Sequence, residues 1–176
     1  EPNFLNCIFE LSRTFPNSGM LSCGWRIADK DQLFVDNYYK FNKNEGSHVY
    51  NLKSYISNSR PICTSVAVIK KSILMQLNGF NEEYKHGADT DLWLRVLLAG
   101  NTGAWYPIIG ATYFRNVVNK VTDNLCQIES PCAVSIDKFL VKNPCHPFAS
   151  ELKSYSEKIR LRPILRTLAY NSNILN

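Results

Sequence analysis

An α/β class is predicted for this chain, and three observations predict it. Runs rich in β-branched and aromatic residues at Met20–Ala28, Ile62–Ile69 and Ala104–Arg115 have the composition of strands. Around them, apolar residues recur at helical spacing over 1–15, 70–77 and 89–99, and again from Glu151. Gly, Pro and Asn separate the two kinds of segment. Strands mixed with helices in one chain indicate α/β or α+β packing.

The elements are justified in chain order. Phe4, Leu5, Ile8, Phe9 and Leu11 give a helix over Glu1–Phe15, stopped by Pro16-Asn17 and Gly19. Met20–Ala28 reads as a strand, Asp29–Gln32 as a turn and Leu33–Val35 as a second strand, together a hairpin. The polar stretch Asn42–Ser47 is a loop, and His48–Ser59 is either a short helix or irregular. Ile62–Ile69 has the mostly apolar, β-rich character of a buried strand. Lys70–Leu77 is a short helix ended by Asn78-Gly79, and Asn81–Gly87 is a polar loop.

Asp89–Ala99 is the strongest helix, with an Asp as its N-cap and Gly100-Asn101 behind it. Two strands follow, Ala104–Ile109 and Ala111–Arg115, divided by Gly110. Between Asn116 and Ser150 the pattern weakens, and Pro131, Pro144 and Pro147 break it. A helix resumes at Glu151 and is interrupted or restarted at Pro163.

Composition removes several classes. With 176 residues, 45% of them hydrophobic and 12% aromatic, the chain suits one domain with a real core, not a disordered tail. Its apolar runs are too short to span a bilayer, and no signal peptide opens it. Lys153, Lys158, Arg160, Arg162 and Arg166 against Glu151 and Glu157 give the tail +3 of the formal +5, leaving the first 150 residues at +2. A nucleic-acid binder more often carries a basic stripe through its folded body, so no nucleic-acid partner is expected. The six cysteines form no C-x-x-C pair, and no Asn-x-Ser/Thr sequon is present; both points favour a reducing, cytoplasmic compartment. Zinc on Cys132, Cys145 and His146 lacks a fourth ligand.

Chemistry concentrates in Asn78–Gly100. A polar loop delivers Asp89 to the first turn of a helix that is apolar nearly all round. Asp91 and Arg95 interrupt it, four apart and on one strip. Such a helix is packed on all sides, so carboxylates at its start are rigidly held, as a catalytic group requires. Each residue also has a structural reading. Asp89 serves equally as a cap, and Asp91 with Arg95 as an ion pair within the packing. A helix N-terminus moreover stabilises an ionised carboxylate and weakens it as a base, leaving geometry to do what basicity does not.

These residues resemble a known family. Ser65-Val66-Ala67-Val68-Ile69-Lys70-Lys71-Ser72, then Leu77-Asn78-Gly79-Phe80-Asn81-Glu82, Gly87-Ala88-Asp89-Thr90-Asp91-Leu92-Trp93-Leu94-Arg95 and Tyr113-Phe114-Arg115 are similar, in order and spacing, to the second half of family 2 glycosyltransferases. The resemblance covers 1–115 and implies a partial GT-A-like mixed sheet flanked by helices, with a C-terminal helical tail. It divides the chain into the acceptor-side half of a catalytic domain, 1–116, and a partly helical, basic extension, 117–176.

The implied activity is inverting transfer of a sugar from a nucleotide-sugar donor to a glycan or lipid-linked acceptor, in polysaccharide or cell-envelope assembly. Asp89 and Asp91 are the catalytic candidates, Asp89 as base. His86, Gly87, Arg95 and Arg115 are the substrate-binding candidates, Arg115 approaching the diphosphate. A divalent Mg or Mn ion is implied for the complete enzyme, and none for this chain alone.

Three departures qualify the resemblance. Ala88 stands where the family usually has Glu, Asn81 replaces the usual Asp of the turn, and Asn116-Val117-Val118-Asn119 stands where a His is expected. A second Asp-x-Asp, Asp29-Lys30-Asp31, reads as a hairpin turn and not as the metal motif. The first helix resembles the one that follows the metal motif in the family. The chain is therefore expected to be part of a larger enzyme, without its nucleotide-binding half. The alternative is a non-catalytic, glycosyltransferase-like module binding glycan or a protein partner. For the tail, Leu152, Tyr155, Ile159, Ile164, Leu165 and Leu168 either pack on the domain or lie on the inner face of an anionic membrane.

Overall fold

Two strands lie side by side and in parallel at the centre of the structure: β1 (Met20–Asp29) and, far along the chain, β5 (Gly103–Phe114). The computed structural model describes residues 1–29, 32–57, 61–115 and 129–172, with side chains to 161. Three short strands complete the sheet. β2 (Gln32–Val35) and β4 (Val68–Ile69) pair antiparallel with opposite ends of β1, and β3 (His48–Tyr50) pairs antiparallel with β5. The result is a mixed sheet flanked by helices, an α/β architecture.

Period-2 alternation divides the side chains of β1 and β5 between two cores. Leu21 and Ala104 face α1 (Phe4–Thr14), joining its Ile8 and Leu11. Met20 and Trp105 point the other way, into the larger core. That core collects Tyr38 from α2 (Asn37–Asn42), Tyr55 from α3 (Leu52–Ser57) and Ile73 from α4 (Lys71–Gln76). It also takes Leu92 and Val96 from α5 (Ala88–Leu98), Ile136 from α6 (Pro131–Lys142), and Leu152, Tyr155 and Ile159 from α7 (Ala149–Ser172). The described part of 117–176 therefore shares one core with the sheet. Arg160 links α7 to α6 through Asp137, and reaches Glu129 as well.

Several expectations are corrected. The eight-residue strand at Ile62–Ile69 is a 3-10 turn at Thr64–Val66 followed by a two-residue strand. From Trp25 onward the edge of β1 is taken by other residues: Trp25 exchanges hydrogen bonds with Asp36, and the hairpin pairs from Arg26. The two strands proposed around Gly110 are one, with register irregularities opposite Cys23–Trp25. His48–Tyr50, expected to be helical or irregular, is a strand because β5 offers it an edge.

A helix absent from the expectations, α6, begins at Pro131. Pro at the first position of a helix forfeits only an N–H that would be unpaired anyway, so it starts this helix instead of breaking one. Similarly α7 runs past Pro163 to Ser172 without interruption. Of the apolar residues of α1, Ile8 and Leu11 are buried while Leu5 and Phe9 stay exposed.

Candidate functional site

The segment 78–100 takes the form its turn residues dictate. Asn78 and Gly79, both with positive φ, end α4. Asn81 Oδ1 then accepts from the Glu83 N–H at 3.0 Å, an Asx turn that Asn makes as well as Asp. Gly87, at φ 73°, is the residue that precedes α5, so the helix starts at Ala88, one residue before the expected position. Asp89 is consequently not the N-cap but lies inside the first turn. A Cβ on Gly87 would meet Thr90 and Pro131 only at ordinary contact distances, so backbone conformation and not space requires glycine here.

The two aspartates, two residues apart, meet different neighbours. Asp91 is 1% exposed. Its Oδ2 accepts from Arg95 Nε at 2.7 Å and its Oδ1 from the Ser135 hydroxyl on α6 at 2.5 Å. Arg95 also donates from Nη1 to the Leu77 carbonyl at 2.8 Å and from Nη2 to the Gly79 carbonyl at 2.7 Å. Arg95 thus ties α5 to the end of α4, while Asp91 ties it to α6. Three donors of one guanidinium fork are used in this bracing.

Asp89 is half-buried and faces the 3-10 turn. Its Oδ2 accepts from the Thr64 hydroxyl at 2.5 Å and its Oδ1 from the Thr90 N–H at 2.7 Å. A carboxylate has about four lone-pair sites, so two acceptor positions remain on Asp89. His86 is half-buried in the loop just before Gly87. Arg115 lies at the end of β5, where its N–H donates to the Ala28 carbonyl and its guanidinium sits 3.9 Å from Asp29. Among the described residues no hydrogen bond or ion pair joins Arg115 to Asp89. The fold therefore brings His86, Gly87 and Asp89 together at the start of α5, adds Thr64, which sequence reading did not select, and holds Arg95 in the packing.

The aspartates do not converge on an ion. Asp89 turns to Thr64 and Asp91 to Arg95 and Ser135, and among the described residues no group of three or more His, Cys, Asp or Glu is placed to hold a metal. In the other Asp-x-Asp, the pairing of Asp29 with Gln32 frames a hairpin, while Lys30 and Asp31 lie outside the described residues. His146, of the zinc candidates, packs its ring between Phe139 and Phe148, with Nδ1 accepting from the Phe148 N–H. Burial pushes the Cys23 thiol up to about 12 and the Cys63 thiol up to about 11, so neither is a thiolate nucleophile at neutral pH.

For the tail, Leu152, Tyr155 and Ile159 are buried in the core, and the side chains of Ile164, Leu165 and Leu168 lie outside the described residues. No described helix is long and apolar enough to cross a membrane. Comparison of the chain with family models, curated proteins and solved structures finds no match.

Proposed function

We propose that this chain supplies the acceptor side and the general base of an inverting, nucleotide-sugar-dependent glycosyltransferase of GT-A type, with Asp89 as the base. One observation carries the reading: of the two carboxylates at the start of α5, Asp91 is 1% exposed and ion-paired with Arg95, while Asp89 is half-buried and open to solvent on one side. A rigid helix braced at two points thus presents a single available carboxylate, which is the form a positioned base takes. The resemblance of 1–115 to family 2 glycosyltransferases supplies the reaction class.

In that reaction an acceptor hydroxyl oxygen attacks the anomeric carbon of the donor from the face opposite the nucleotide. The new C–O bond forms as the bond to the diphosphate breaks, and the diphosphate leaves with the electron pair. The acceptor proton passes to Asp89. General base catalysis of this kind contributes about 10²–10⁴-fold. Among the described residues the start of α5 gathers no set of three metal ligands, so no step is routed through the Mg or Mn ion that the resemblance implies for the complete enzyme.

The test is Asp89→Asn in the longest form of the protein that transfers sugar. Transfer is expected to fall by about 10²-fold or more with the thermal transition retained. Undiminished transfer would sink the base assignment. It would favour the second reading, a non-catalytic module binding glycan or a protein partner, which Ala88 in place of an acidic residue supports.

A further inference from the structure

We infer that Thr64 is the positioning residue for Asp89, an inference that rests on Asp89 being the base. Its hydroxyl donates to Asp89 Oδ2 at 2.5 Å across 25 residues of sequence, so the contact is made by the fold and not by local turn geometry. A hydrogen bond to an ionised acceptor is shorter and about twice as strong as a neutral one, which suits this separation.

The element bearing Thr64 is itself fixed. Pro61 and Ile62 are buried before it, and Val66 is fully buried two residues after it. Between these anchors the chain turns as a 3-10 helix, lifting Thr64 to the surface beside the start of α5. Threonine, β-branched, has few χ1 rotamers open to it, which narrows the directions its hydroxyl can take. Oδ1 meanwhile is held by the Thr90 N–H. One donor on each oxygen holds the carboxylate plane, leaving one acceptor position on each for an acceptor hydroxyl.

Proximity effects make such placement matter: a misplacement of about 1 Å costs on the order of 10²-fold in rate. Thr64→Val keeps the shape and removes the donor; Thr64→Ser keeps the donor. Two measurements on the same protein separate the contact from the chemistry. In thermal unfolding, Thr64→Val is expected to lower Tm by about 2–4 °C. Thr64→Val and Asp89→Ala should also be non-additive, because each removes the same interaction. In sugar transfer, Thr64→Val should lower kcat by about 10–100-fold with KM for the donor unchanged, and Thr64→Ser should restore most of the loss.

Additive Tm changes overturn the inference, as does wild-type kcat in Thr64→Val where Asp89→Ala is inactive. Full transfer by Asp89→Ala instead overturns the base assignment, and the unfolding cycle then decides by itself whether Thr64 holds Asp89.

Discussion

At the scale of single residues, the same residue type does different work according to what surrounds it. Asp36, Asp89 and Asp91 illustrate the range. Asp91 is enclosed and neutralised by Arg95. Asp36 is also buried, but its partners are backbone groups: the Tyr39 N–H, capping α2, and the Trp25 N–H, each at 2.9 Å. Burial raises the Asp36 carboxyl above its ordinary value of 3.8, and those backbone N–H groups only partly offset the effect. The folded state then holds its proton to higher pH than the unfolded chain, so stability from this group is full below 3.8 and falls as pH rises through the folded value. Thermal melts of the wild type and Asp36→Asn between pH 4 and 7 check the sign: the advantage of the wild type should shrink with rising pH, and one that grows contradicts it. Asp36 was not selected from sequence, although an Asp before Asn-Tyr-Tyr is a readable cap signal.

Elements depend on a few backbone positions. Gly87 has to be left-handed for α5 to begin where it does, and the start of α5 sets where Asp89 and Asp91 point. Gly87→Ala should cost about 1–2 kcal/mol, since there is room for the methyl group but not for the conformation. Gly87→Asn should cost less, because Asn tolerates this region better. Chemical denaturation measures both, and equal losses would point to steric contact instead.

A different constraint acts at Gly103, where a Cβ would collide with the ring of Tyr50 lying across it. Helices with strong periodicity, such as α5, were legible in the sequence, and so was the β1–β2 hairpin. The 3-10 turn at Thr64–Val66 was not, because its apolar, β-rich composition is that of a strand, whereas the edge of β1 it would extend along is taken by Asp36 and β2 from Trp25 onward. In α6, Cys132, Ala133, Ile136, Phe139 and Leu140 do recur at helical spacing, but Pro131, Pro144 and Pro147 around them are locally indistinguishable from helix breakers.

Across the whole molecule, burial links segments that sequence reading divided at residue 116. Leu152, Tyr155 and Ile159 of α7 share a core with Trp105 of β5 and Leu92 of α5. A core of this kind unfolds as a unit. Leu152→Ala, at a fully buried position, should cost about 2–5 kcal/mol. The loss should appear at one midpoint in both far-ultraviolet circular dichroism and tryptophan fluorescence, whose Trp25, Trp93 and Trp105 all lie before residue 116. Separate midpoints would mean that α6 and α7 form an independent unit.

Sequence alone determined the α/β class, a helix at 89–99 (observed one residue earlier, at 88–98), the turn before it and the pair of aspartates at its start, because these follow from local periodicity, turn chemistry and residue identity. Tertiary structure decided which aspartate is available. Asp89 and Asp91 are equivalent in composition and nearly so in position; the Arg95 partner of Asp91 is legible at i+4, but the closing-in of Asp91 beside Ser135 of α6 and the pairing of Asp89 with Thr64 of the 3-10 turn are decided by the fold. Those contacts span 44 and 25 residues, and no local pattern encodes a partner at such a distance.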